Sequence, residues 1–231
     1  MLTEKVHPFI SIAFLAALAI AIFMIARLAK KANQSKVYAY ILGFYCIYLI
    51  IVAILCFQGM LDAVTLPPRI IVITTLPLLL FYVTIISNTR FYKTILKEVH
   101  VADWVQLHIF RLIGGVFLLL YFLNLLPKTF ALIAGIGDVV TAVSSLFVAQ
   151  LIRKRHKYAK KIALFWNTFG LLDILATSTT AVLLTKVSIE TGSMGVDILT
   201  EFPFCFIPAF APATIIFLHI SIYRKLFSEK I

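Results

Sequence analysis

A chain of 231 residues that is 62% apolar, with a mean hydropathy of +1.03, is far more apolar than the ~45–50% usual for soluble domains and points away from a water-soluble globule. The net charge of +11 does not read as a nucleic-acid footprint. Its Lys and Arg gather in short loops between apolar stretches, which is the positive-inside pattern of membrane proteins.

A spanning helix needs ~20 mostly apolar residues, and seven stretches qualify. The first runs about Pro8 to Leu28 and closes on Arg27, Lys30 and Lys31. A cleaved signal peptide would carry its positive charges before a shorter apolar core, so this stretch reads as a retained helix. The second runs about Val37 to Leu61 and the third about Ile70 to Ser87, with a tight Pro67-Pro68 turn between them. The fourth covers about Val101 to Leu126, the fifth Thr129 to Ile152, the sixth Ile162 to Leu184 and the seventh Phe204 to Tyr223.

With seven spans, four basic loops fall on one side: Lys30/Lys31/Lys36, Arg90/Lys93/Lys97, the run Arg153 to Lys161, and the tail with Arg224, Lys225 and Lys230. The opposite side carries Lys5, Arg69, Lys128 and Lys186 beside Glu4, Asp62, Glu190, Asp197 and Glu201. The bias predicts an all-α seven-helix bundle in the plasma membrane, N-terminus outside and C-terminus cytoplasmic, with no soluble domain. Between the third and fourth spans, Phe91, Tyr92, Ile95, Leu96 and Val99 recur at helical spacing among Arg90, Lys93 and Lys97. Two readings stay open: an interfacial helix with its basic face toward anionic headgroups, or a cytoplasmic extension of the fourth span.

Composition divides the chain into a three-helix part with the interfacial segment, 1–100, and a four-helix part, 101–231, that holds nearly all the intramembrane polar groups. No internal repeat is visible. The cysteines Cys46, Cys56 and Cys205 have no CxxC spacing and read as small buried hydrophobes. A Cys56–Cys205 disulfide is compatible with their positions and has no support in the pattern.

Charges at membrane depth are costly and mark function. On the fifth span, Ala131, Ala134, Gly135, Asp138, Thr141, Ala142, Ser145 and Ala149 form one small-residue stripe. Close helix packing explains every member except Asp138. The sixth span carries Asn167 and Asp173, about 120° apart on a helix, and the fourth carries His108, Arg111 and Gly115 within about 60°. The seventh lines up Pro208, Pro212, Ile215 and His219. Its prolines break the helix and free the carbonyls of Phe204 and Pro208, which must be satisfied by protein or water. At 1.5 Å per residue, Arg111 and Asp173 both lie roughly 15 Å from the basic ends of their spans, and Asp138 sits about as deep. Arg111 is therefore expected to meet Asp138 or Asp173.

The segments Gln106-Leu-His-Ile-Phe-Arg-Leu-Ile-Gly-Gly115, Leu126-Pro-Lys-Thr-Phe-Ala-Leu-Ile-Ala-Gly-Ile-Gly-Asp138 and Trp166-Asn-Thr-Phe-Gly-Leu-Leu-Asp173 resemble a family of small uncharacterised bacterial multi-span membrane proteins. The Pro-rich last span ending near His219 is similar too. The resemblance covers roughly the second half of the chain, without the first three spans. It implies that Arg111, Asp138, Asn167 and Asp173 belong together, and it carries no activity.

Three functional readings follow. The leading one is binding or movement of a small polar or anionic solute, or of protons, through a polar cavity in the last four helices. Arg111, Asp138, Asp173, Asn167, His108 and His219 would form its polar network, and Pro208 and Pro212 its hinge. The second is a membrane scaffold or sensor whose buried ion pairs only set helix register. The third is a redox protein holding a b-type haem between His108 and His219, with room made by Gly114 and Gly115. No phosphate loop, HExxH or Gly-x-Ser-x-Gly is present, so no metal, nucleotide or enzyme activity is assigned. The partners expected are membrane lipid and a small ligand, not nucleic acid.

Overall fold

The computed structural model describes residues 5–62 and 65–228. Glu4 and Lys230 of the charge map, and Ala63 and Val64 of the Pro-rich turn, lie outside the described residues. Among the described residues there is helix and no strand, and seven helices are long and apolar enough to cross a membrane. In chain order they are α1 (Pro8–Lys31), α2 (Ser35–Phe57), α3 (Ile71–Asn88), α5 (Val101–Phe122), α6 (Lys128–Arg153), α7 (Ala159–Thr191) and α8 (Phe206–Ser228). The shorter α4 (Arg90–Glu98) stands between α3 and α5.

The segment after α3 is a separate helix and not a continuation of α5. Thr89 opens α4, its Oγ1 accepting from the Tyr92 N–H at 3.3 Å. Val99 and His100 then leave the helical region with extended backbone, and the His100 ring accepts from the Ala102 N–H to start α5. The apolar face of α4 buries Tyr92 and Ile95, while Arg90, Lys93 and Lys97 stay exposed. Lys225 of α8, counted above in the basic tail, is 1% exposed. Its Nζ donates to the carbonyls of Leu96 and Lys97 at 2.7 and 3.3 Å. A lysine there satisfies the open carbonyl end of α4 and complements its dipole.

Two other long helices differ from a plain α-helix of the expected length. In α3 the hydrogen bonds widen to i→i+5 over Ile71–Thr75 and Phe81–Ile85, on either side of Leu76–Leu80. Pro77 lies between the two wide turns and cannot donate to the Ile73 carbonyl one turn earlier. The helix α7 outruns its expected end at Leu184 by two turns. Its 33 residues extend about 50 Å, more than the ~30 Å hydrocarbon core. It stops at Gly192, whose φ of 68° and N–H bond to Ser188 form a left-handed cap.

The long helix α8 is the post of the bundle, packing on α2, α3, α4, α5 and α7. The composition-based parts 1–100 and 101–231 are therefore in contact, and α1 also packs on α5. Lys31 of α1 and Arg153 of α6 both reach Asp103 of α5, at 2.7 and 3.0 Å, which gathers the basic loops at one end. Lys5 pairs with Glu201 at the other end. The three cysteines are free, with Cys56 donating to the Thr200 carbonyl at 3.1 Å.

Candidate functional site

The charged residues of α5, α6 and α7 meet in the interior. Arg111 is 2% exposed and Asp138 8%. The Arg111 Nε donates to Asp138 Oδ1 at 2.6 Å, and its Nη2 donates to Asp173 Oδ2. Nη1 donates to the Gly170 carbonyl at 3.1 Å and lies 3.3 Å from His219 Nε2. An arginine expected to meet one of two carboxylates thus meets both, and all three of its nitrogens are engaged.

The backbone of α5 sets this up. From His108 to Gly114 it winds as a 3-10 helix of seven residues, longer than the usual ~3–4. Three residues per turn stack His108, Arg111 and Gly114 along one edge. The Gly114 position, not Gly115, carries the approach of α6. A Cβ there would lie 2.1 Å from Asp138 Oδ2, whereas one on Gly115 would meet nothing within 4 Å. Gly137 of α6 and Gly170 of α7 do the same work, since their Cβ atoms would fall 1.7 Å from Asp173 Oδ1 and 2.7 Å from His219 Cε1. Three glycines therefore seat three polar side chains. In the sequence Gly114 reads only as room for a macrocycle, and neither Gly137 nor Gly170 is singled out, because a glycine beside a small-residue stripe looks like helix packing; the signal is their position, facing a polar residue on the neighbouring helix.

Asn167 and His219 extend the cluster. His219 Nδ1 donates to Asn167 Oδ1 at 2.8 Å, and Asn167 Nδ2 donates to the His219 carbonyl at 3.1 Å. With its Nδ1–H given to Asn167, His219 Nε2 is the acceptor for Arg111, so one tautomer satisfies both bonds. Asn167 and Asp173, on different faces of α7, join one network through the Arg111–His219 link. His108 is 0% exposed, and neither of its ring nitrogens has a partner among the described residues. Its ring lies 4.3 Å from that of His219 and edge-on to Trp166 at 5.2 Å. Trp166, which sequence reasoning passed over, donates to the Thr141 carbonyl and to Ser144 Oγ.

Haem does not fit this geometry. A macrocycle with two axial histidines needs a ring-sized gap between them, and these imidazoles touch. Both His219 nitrogens are engaged, and the space at Gly114 is taken by the Asp138 carboxylate. Among the described residues no cluster of three metal-ligating side chains occurs.

The prolines of α8 lie on the rim of the site. Pro212 cannot donate to the Pro208 carbonyl, and Thr75 Oγ1 of α3 replaces that donor at 2.7 Å. Tyr48 of α2 donates to the next carbonyl, Ala209, at 2.9 Å. A cavity of about 110 Å³ runs from these prolines to Arg111 and Asp138, between α1, α3, α5, α6, α7 and α8. Its wall is apolar, with Phe14, Phe117, Phe130 and Ile215 prominent. Its polar exceptions are Arg111, Asp138, Thr75, Thr177 and Ser178.

No curated protein and no solved structure matches the chain. A family model does, and it takes in the third span as well as the motif-bearing spans four to seven. With residues 67–227 matched, the chain belongs to the family described as Domain of unknown function (DUF8737).

Proposed function

We propose that this protein spans the plasma membrane seven times, N-terminus outside and C-terminus in the cytoplasm, and that it binds a small solute beside a proton-exchanging centre made by Arg111, Asp138 and Asp173. The observation that carries this reading is the charge count of the buried cluster. One guanidinium stands between two carboxylates, so the cluster balances only with one further proton or cation. A charge imbalance at membrane depth is costly and marks ion or proton handling. The cavity that ends on Arg111 and Asp138 gives such a centre a neighbour to respond to.

The solute is best matched by a molecule with an apolar body and one polar group, because the cavity wall is mostly apolar and its charged groups, Arg111 and Asp138, lie at one end. A simple anion fits less well, since each Arg111 nitrogen already has a partner and one carboxylate would have to leave. Pro208 and Pro212 in the wall allow α8 to bend without breaking an internal hydrogen bond. His219 and Asn167 continue the hydrogen-bonded chain from Arg111 toward the basic end of α7.

A second reading, an ion-pair network that only sets helix register, is favoured by the full engagement of Arg111. Proteoliposomes with an entrapped pH-sensitive dye separate the two. After an external pH jump, wild-type vesicles should equilibrate several-fold faster than those with Asp138→Asn or Asp173→Asn. Equal rates, with melting temperatures lowered in both variants, would leave only the structural role.

A further inference from the structure

A second and larger cavity, of about 270 Å³, lies away from the charged cluster, toward the basic end of the bundle. It is enclosed by α1, α2, α3, α4, α5 and α8. Ile41, Phe44, Phe81, Tyr92, Trp104 and Phe217 are among its lining residues. We propose that it holds one acyl chain of an anionic phospholipid, whose headgroup rests on cations of the enclosing helices. The proposal rests on the membrane-spanning reading above.

What fills the space follows from its walls. Protein interiors rarely keep voids larger than a water molecule, and this one has room for several. Water is a poor occupant, because apolar cavities stay dry and the polar atoms of this wall are mostly spoken for. The Tyr45 and Tyr82 hydroxyls bond each other at 2.8 Å, and that of Tyr92 bonds Ser221 Oγ at 2.8 Å. The exception is Trp104 Nε1, buried and without a partner among the described residues. It sits in the first turn of α5 on the cavity wall, and a lipid ester carbonyl there would accept its proton. In a bilayer the abundant apolar matter is acyl chain. Access is from the side of α2, which buries only Val37, Tyr45, Val52 and Cys56. Tyr40, on the cavity lining, is 70% exposed there.

Charge selects the headgroup. The lining face of α4 is backed by Arg90 and Lys93 on its exposed face. Arg224 Nη1 donates to the Tyr92 hydroxyl at 3.3 Å, and Lys30 lies 4.1 Å over the Tyr38 ring, next to lining residue Val37. Lys36 adjoins Val37 as well. Among the described residues, Lys30, Lys36, Arg90 and Lys93 form no ion pair; the nearby carboxylate of Asp103 is taken by Lys31 and Arg153. Cations on the helices that wall an apolar slot match an anionic amphiphile in both parts.

The experiment uses the full chain. Membranes are first washed with alkaline carbonate; recovery of the chain in the soluble fraction would overturn the spanning reading and this proposal together. Membrane-retained protein is then purified in mild detergent, stripped of lipid and mixed with dioleoyl phosphatidylglycerol or dioleoyl phosphatidylcholine for native mass spectrometry. Wild type should keep one phosphatidylglycerol and at least fivefold less phosphatidylcholine. Ile41→Trp, which fills the slot, should lower occupancy by both lipids at least fivefold. Lys30→Gln with Lys93→Gln should abolish the preference while leaving chain binding in place, and decides the matter alone if the tryptophan variant does not fold. Lipid-free wild type, no preference for the anionic lipid in wild type, or variants that bind both lipids as wild type does would overturn the lipid site and leave the spanning reading standing.

Discussion

Substituting Gly137 by alanine tests whether the close approach of α6 to α7 exists to seat Asp173. A Cβ on Gly137 would lie 1.7 Å from Asp173 Oδ1 and 2.4 Å from its Cγ. The carboxylate must swing away, and it cannot do so while bonded to Arg111 Nη2. Loss of a hydrogen bond to a charged group costs about 1.5–3 kcal/mol. Against this, alanine in a helix interior gains about 0.5–1 kcal/mol over glycine. The net expectation is a destabilisation of about 1–2 kcal/mol, or a fall in Tm of roughly 2–8 °C for a chain of this size. Gly115→Ala is the matched control on α5. Its Cβ meets nothing within 4 Å, so only the helix gain of about 0.5–1 kcal/mol remains. Thermal unfolding in one detergent, followed by a thiol-reactive or intrinsic fluorescence signal, should move the two variants in opposite directions. Combining Gly137→Ala with Asp173→Ala should cost less than the two separate effects added, because the clash and the lost bond are one event. If Gly137→Ala is as stable as Gly115→Ala, Asp173 is not held against Arg111 by this packing, and the cluster as described is wrong.

Thr75→Val should cost about 1–3 kcal/mol, because it leaves the Pro208 carbonyl buried without its donor. Adding Pro212→Ala should recover most of that loss by restoring a backbone N–H to the same carbonyl; a strictly additive thermal cycle would refute this assignment. Lys225→Met should release the end of α4 from α8. Limited proteolysis should then cut near residues 96–100 several-fold faster than in wild type, with little change in Tm, and an unchanged cleavage rate would show that the lysine contacts do not hold α4.

Much of the architecture could be read from patterns that depend only on neighbouring residues. Apolar length locates each span, so Ile71–Asn88 and Lys128–Arg153 fall within a residue or two of their expected places. The small-residue stripe of α6 is buried from Ala131 to Ala149, as its period requires, and helix depth alone made Arg111, Asp138 and Asp173 plausible neighbours. Other features depend on which surfaces meet. The 3-10 winding of His108–Gly114 has no local signature; it aligns Arg111 with Gly114, where an α-helix would have put Gly115 closer to line. That Asp173 sits over Gly137, that Thr75 replaces the donor Pro212 lacks, and that Lys225 of the basic tail reaches the end of α4 are pairings between residues tens to more than a hundred positions apart. Hydrophobic periodicity records which face of a helix turns inward. Only the packed bundle decides what that face meets, because a buried polar group is satisfied by whichever partner the neighbouring helix brings within about 3 Å.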